Sequence, residues 1–189
     1  MDKVVLDIET KNTFADVGGQ QNLRMLDMSF VGIYSYDKDK YLSFFEKDFN
    51  KLSEFFNNVG LIIGFASNRF DVPILDKYVS CDLFSIHRVD ILDEIEMASG
   101  RRIGLDLLAS VNLGIGKSAD GMKAVQFYKE DKLKELQDYC IQDVKVTKDL
   151  YDLAKKRGYL LVPDKFTGEN IQIDLSFDEG EMIIQQNLF

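Results

Sequence analysis

The sequence predicts an α/β domain, and three stretches carry that prediction. The first is the opening run Met1 to Thr10, a strand whose Val4, Leu6 and Ile8 share one face while Asp7 and Glu9 project from the other. The second is Leu61-Ile62-Ile63-Gly64-Phe65, an apolar run suited to the parallel part of a sheet covered on both faces. The third is Asp131 to Arg157, where Leu136, Cys140, Asp143, Thr147, Leu150 and Ala154 recur by alternating steps of four and three, one face of a long helix.

The elements between follow in order. Lys11 to Met28 holds Gly18-Gly19 and shows no clear period, so an excursion of the chain is expected there. Alternation over Ser29 to Tyr36 and again over Lys40 to Glu46 predicts two strands joined by a hairpin-like turn at Asp37-Lys38-Asp39. Phe49, Leu52, Phe55 and Phe56 then fall at helical spacing, and Asp71-Val72-Pro73 opens a helix through Tyr78, since Pro is tolerated in a first turn. A short strand is expected over Ile86 to Ile91, then polar helical material and a helix within Arg101 to Val111. Gly114, Gly116 and Gly121 mark a flexible connection. Beyond Gly158 two short strands are expected, Tyr159 to Val162 and Ile171 to Leu175, followed by an acidic tail. The domain thus runs over residues 1–158, with 159–189 packed on it.

A chain of 189 residues with 46% hydrophobic content suits one core. The two cysteines, Cys81 and Cys140, and the single histidine, His87, cannot build the usual zinc sites, and a reduced, cytoplasmic setting is expected. No signal-peptide pattern and no run approaching a membrane span occurs, so no membrane partner is expected. A net charge of -9 argues against tight non-specific binding to duplex nucleic acid, although bound divalent cations reverse the local field at a site.

The chemistry concentrates in carboxylates. Asp7 and Glu9 repel each other on one strand face, which water or a cation must offset, and hard oxygen ligands suit Mg²⁺ or Mn²⁺. Asp143 interrupts the core-facing stripe of the long helix, a costly position for a carboxylate without a partner or metal. Tyr139 lies one turn before it, and Asp71 stands at a helix mouth. Each also has a plain structural explanation: a strand ending in solvent, a helix N-cap at Asp71, a core aromatic at Tyr139.

Taken together, these stations resemble the DEDD superfamily of 3′-to-5′ exonucleases on the ribonuclease H-like fold. The matching motifs are Leu6-Asp7-Ile8-Glu9-Thr10, then Gly64 to Leu75 with Phe70-Asp71-Val72-Pro73, and Tyr139-Cys140-Ile141-Gln142-Asp143. Tyr139 stands four residues before Asp143 and Asp138 occupies the place of the histidine in the other branch, so the resemblance is to the DEDDy kind. Asp7 to Phe14 is similar to prokaryotic exonuclease domains found alone or beside helicases. One departure is Ala66, where the family often has Asn five residues before its second-motif Asp; Asn68 stands nearby instead.

The resemblance implies a ribonuclease H-like mixed sheet with a central first strand, flanked by helices. It implies two divalent metal ions, Mg²⁺ or Mn²⁺, with Asp7 bridging both, Glu9 and Asp143 at the nucleophile's metal, Asp71 serving the second, and Tyr139 orienting the attacking water. Hydrolysis would release nucleoside 5′-monophosphates from the 3′ end of a single strand, DNA being favoured. Thr10 would touch the terminal sugar, with Asn68, Arg69 and Phe70 as further substrate contacts. Arg101, Arg102, Lys117, Lys123 and Tyr128 are additional candidates for a phosphate or base groove. The alternatives are an exoribonuclease with the same site and a catalytically weak binding module of a helicase or polymerase assembly.

Two other motifs lie towards the C-terminal half. Gly114-Ile115-Gly116-Lys117-Ser118 lacks the first glycine of a phosphate loop, because position 111 is Val. Gln185, Leu188 and Phe189 resemble the peptide by which bacterial repair proteins dock on the sliding clamp, which would make the clamp a partner.

Overall fold

In the computed structural model, which describes residues 1–115, 122–164 and 167–180, the opening apolar run forms strand β1 (Asp2–Thr10). It pairs antiparallel with β2 (Met28–Ser35), which turns at residues 37–39 into β3 (Lys40–Phe45). On its other edge β1 pairs in parallel with β4 (Val59–Gly64), and β4 with β5 (His87–Asp90). The order β3-β2-β1-β4-β5 makes the sheet mixed and β1 central, as expected from the sequence.

Alternation along β1 distributes its side chains between two cores. Val4, Leu6 and Ile8 join Ile62 beneath helices α1 (Leu52–Phe56) and α2 (Asp71–Leu75), with Leu52, Phe56, Val72 and Leu75 buried among them. A 3-10 turn over Glu46–Lys51 leads into α1, so the Phe49 to Phe56 spacing spans two helical segments. Val5, Leu61 and Ile63 face the opposite layer, built from α3 (Ile91–Ser99), α4 (Leu105–Leu113) and α6 (Leu133–Arg157). The α6 stripe of Leu136, Cys140, Thr147, Leu150 and Ala154 is buried as its periodicity predicts.

Three segments are sharpened relative to the sequence expectation. The excursion after β1 contains a 3-10 turn at Gln20–Met25. The helix expected within Arg101 to Val111 is found from Leu105, where Gly104 adopts the extended backbone that precedes it, and runs on to Leu113. Immediately after the glycine-marked connection, helix α5 (Met122–Lys129) packs Ala124 beside Phe30, Leu136 and Cys140.

After α6, β6 (Tyr159–Pro163) and β7 (Asn170–Asp174) form a separate antiparallel ribbon. Leu160, Val162 and Leu175 enter the α-helical side of the core, and the Asn112 side chain bonds both the N–H and the carbonyl of Leu161. Among the described residues, no helix is long and apolar enough to cross a membrane.

Candidate functional site

The site forms where β1 and β4 part. Their pairing runs to Val5 opposite Ile63, and β4 ends at Gly64 in a turn so tight that a Cβ there would overlap the Ser67 side chain. Ala66 takes a left-handed φ of 61° in that turn. The Asp90 carboxylate fixes it by accepting the Ala66 and Asn68 N–H groups, both at 2.9 Å, while also capping α3. The chain is thereby returned so that α2 opens on Asp71 beside β1. Past the end of the β4 pairing, the Ile8 amide finds its acceptor in Asp71 Oδ1 at 2.9 Å, so a backbone group that needs a partner also anchors this carboxylate.

From the other side of the sheet, α6 approaches unusually closely over Gly32, the residue opposite Asp7 on β2. A Cβ on Gly32 would lie 3.0 Å from Cys140 Sγ and 3.1 Å from Val144 Cγ2. The missing side chain lets Cys140 Sγ reach within 3.3 Å of Asp7 Oδ2 and 3.4 Å of the Asp7 carbonyl oxygen. One turn along α6, Asp143 faces the same carboxylates and accepts a hydrogen bond from the Tyr139 hydroxyl.

Among the described residues, no Lys or Arg compensates the charge of the cluster. Burial first, then the charges of Asp71, Glu9 and Asp143, push Asp7 well above the ordinary carboxylate range, opposed only by the Cys140 thiol. Glu9, 9% exposed, is raised by burial and by Asp143 and Asp71. Asp71 is pushed up to about 7 by burial, against the lowering effect of the Ile8 and its own N–H groups. Asp143 is pushed up to about 6 by burial and by Asp106. Burial and the surrounding acids, Asp143 foremost, raise Tyr139, so its hydroxyl keeps its proton. Among the described residues, none of Asp7, Glu9, Asp71 and Asp143 forms an ion pair with Lys or Arg.

Such a donor set fits divalent cations. Oxygen atoms of Asp7 and Glu9 lie with Cys140 Sγ within 4.8 Å of one another, and the buried like charges call for a positive ion that no Lys or Arg among the described residues provides.

The structure brings Asp7, Glu9, Asp71, Tyr139 and Asp143 to one place and scatters the expected substrate contacts around it. Thr10 is buried and donates its hydroxyl to the Asn12 carbonyl at 2.8 Å. The Asn68 side-chain amide is engaged at both ends, donating to Asp93 and accepting from Arg88. Arg69 pairs with Asp93 and Glu96, at 3.0 and 2.7 Å. Phe70 packs edge-on against Phe14, with ring centroids 5.9 Å apart. Arg101 is tied to Asp164 at 2.6 Å and Arg102 reaches Glu96 at 3.9 Å. Tyr128 lies under Lys11 and bonds Glu46. Lys117 and the clamp-like Gln185, Leu188 and Phe189 lie outside the described residues, as does most of the phosphate-loop decoy.

Three participants were missed in the sequence. Cys140 carries no site role in the sequence reading, where it belongs to a helical stripe and stands between motif residues, Asp106 has no motif, and Asp90 falls within a strand. Only Asp90 had a usable signal, as an Asp directly before the apolar start of a helix.

Over residues 4–155 the sequence matches the family model described as the RNase_H superfamily. No curated protein matches the chain. Among solved structures, the family B DNA polymerase from the hyperthermophilic archaeon Pyrobaculum calidifontis superposes with a TM-score of 0.59 at 19% identity, over 82% of this chain and 24% of the polymerase. That likeness concerns the fold, and this chain spans about a quarter of the polymerase's length.

Proposed function

This chain belongs to the RNase_H superfamily, and from that premise we propose that it is a metal-dependent 3′-to-5′ exonuclease of the DEDDy kind. Its substrate is single-stranded nucleic acid, DNA before RNA, and its products are nucleoside 5′-monophosphates. The observation that carries the reading is the convergence of four carboxylates from β1, α2 and α6, without Lys or Arg partners among the described residues, with Tyr139 hydrogen-bonded to Asp143. Nuclease-type activity is supported by the family itself, and the DNA polymerase fold likeness favours DNA.

Asp7, Glu9, Asp71 and Asp143 would hold two divalent cations. Bound there, the ions would offset the carboxylate charge and stabilise the attacking and leaving oxygens of an in-line displacement. The protein's own groups do the positioning. Asp71 is locked to the backbone of β1 through Ile8, so its placement is as rigid as the central strand. The Tyr139 hydroxyl donates to Asp143, which places its oxygen beside the carboxylates, and there it would orient a water approaching the scissile phosphate. Thr10, directly after Glu9, and Phe70, beside Asp71, flank the place where a terminal sugar and base would sit.

Digestion of matched single-stranded DNA and RNA, labelled at the 5′ end, tests the proposal in Mg²⁺, Mn²⁺ or EDTA beside Asp7→Ala. A metal-dependent ladder shortening from the 3′ end, lost in the variant, is expected. Folded protein that degrades neither strand with either metal would transfer the assignment to a binding module.

A further inference from the structure

We propose that Cys140 turns the Asp7–Glu9 corner of this site into a mixed oxygen and sulfur donor set, which takes thiophilic divalent cations such as Zn²⁺ or Cd²⁺ with the sulfur as a direct ligand. The proposal deepens the reading above and rests on the same metal site.

Three observations carry it. Ligand atoms of Asp7, Glu9 and Cys140 all lie within 4.8 Å of one another. The Sγ to Asp7 Oδ2 separation of 3.3 Å is close to the roughly 3.6 Å that a tetrahedral ion would hold between a sulfur at about 2.3 Å and an oxygen at about 2.1 Å. The approach is also built into the backbone, because Gly32 opposite Asp7 leaves room for α6 to deliver the sulfur; a side chain there would meet Sγ at 3.0 Å.

Ligand softness then separates the cations. Mg²⁺ takes oxygen ligands and keeps several waters, so it has no use for the sulfur, and Mn²⁺ prefers oxygen as well. Zn²⁺, Cd²⁺ and Co²⁺ gain from it. As the metal–sulfur bond forms, the buried thiol gives up its proton by way of the Asp7 carboxylate to which it already donates, and from there to solvent, since the ligand is the thiolate. The other cysteine, Cys81, sits in the opposite core layer, packed among residues around α1 and α2, and does not share the corner.

Co²⁺ is the probe, added to metal-free full-length Cys81→Ser protein, with the near-ultraviolet sulfur-to-cobalt charge-transfer band as readout. The band is expected to appear stoichiometrically with Co²⁺ and to vanish in Cys140→Ser and, through loss of a neighbouring ligand, in Asp7→Asn. Calorimetry should show Cd²⁺ affinity falling about tenfold or more in Cys140→Ser, with Mg²⁺ affinity changed less than about twofold, in line with its preference for oxygen. Co²⁺ that binds in an Asp7-dependent way without the band would overturn sulfur ligation and leave the nuclease reading intact. No Co²⁺ binding to the folded protein would overturn the metal site and sulfur ligation together. The parent spectrum needs no Cys140 variant, so a misfolded substitution does not shield the proposal.

Discussion

At the N-terminal end of β1, buried Asp2 accepts the Ser35 hydroxyl at 2.5 Å and the Asp37 N–H at 3.1 Å. The acids in the layer above it are matched with donors. Asp152 takes Lys148 and the Tyr36 hydroxyl, both at 2.7 Å, while Glu179 takes Lys155 at 2.5 Å and the Tyr151 hydroxyl at 2.6 Å. Burial acts to raise Glu179, yet those two partners hold it below the ordinary range. At the C-terminal end of the same strand, Asp7 and Glu9 have for company two more acids and a thiol, and every carboxylate there is raised. The number of acids does not distinguish an end that stabilises from an end that acts; Asp152 and Glu179 have lysine partners, whereas among the described residues the second cluster has only neutral donors, the Ile8 N–H, the Tyr139 hydroxyl and the Cys140 thiol, and no Lys or Arg to offset its charge. An acidic cluster left unmatched costs the fold stability, and a cation that completes it recovers that stability along with chemistry.

The comparison breaks most visibly on activity. Asp7→Ala should lower the rate of the proposed exonuclease reaction by about 10³-fold or more, about 4 kcal/mol of barrier. Asp2→Ala, at the other end, should leave the rate within a few-fold and instead lower stability by about 1–3 kcal/mol, by stranding the buried Ser35 hydroxyl and removing the acceptor of the more exposed Asp37 N–H. Urea unfolding beside the digestion assay separates the two outcomes.

Next in size is pH. In the folded protein Asp71 holds its proton up to about 7 and Asp143 up to about 6, against an ordinary value of 3.8 for the unfolded chain. Between these limits the folded state binds more protons, so metal-free stability should be greatest near the low end and fall as pH rises through the window, by on the order of 1–3 kcal/mol. Saturating Mn²⁺ should cancel most of that decline. Melting curves at several pH values, with EDTA and with Mn²⁺, test both statements, and a flat metal-free profile would remove the electrostatic half of the comparison.

Gly32→Ala should cost about 1–3 kcal/mol, because the added methyl meets Cys140, Val144 and Ile141 within 3.2 Å. It should also weaken Mn²⁺ binding, which a purely structural glycine would not do. Lys155→Ala, which breaks a half-exposed ion pair at the matched end, should cost at most about 1 kcal/mol and leave activity unchanged. The smallest effect is Ala66→Gly, which relieves a left-handed alanine and should stabilise by about 0.5–1 kcal/mol, measured by the midpoint of urea unfolding.

Much of this architecture was legible in the sequence because the signals were periodic. The alternation of β1, the apolar run of β4 and the stripe of α6 each declare which face is buried, and Asp143 stood out by violating its stripe. The sheet order and the central position of β1 came through family resemblance, since periodicity says nothing about which strands pair. What stayed hidden depends on contacts between distant segments. Cys140 faces Asp7 only because Gly32 lies between them on a neighbouring strand, and no spacing in the chain relates positions 32 and 140. Asp106 reaches the site through the packing of α4 on α6. Helix α5 followed glycines that suggested a connection, and its apolar face is defined only against Phe30 and Leu136. Asn68 could be named as a candidate contact, but not its capture by Arg88 and Asp93, which are contributed by β5 and α3.

The account turns on the unmatched end of β1 being a cation site, and calorimetric titration of metal-free protein with Mn²⁺, repeated on Asp7→Asn, tests it most directly. Saturable binding of two ions with a raised melting temperature, lost in Asp7→Asn, is predicted. Wild-type protein that binds no Mn²⁺ and melts at the same temperature with and without it would contradict the account.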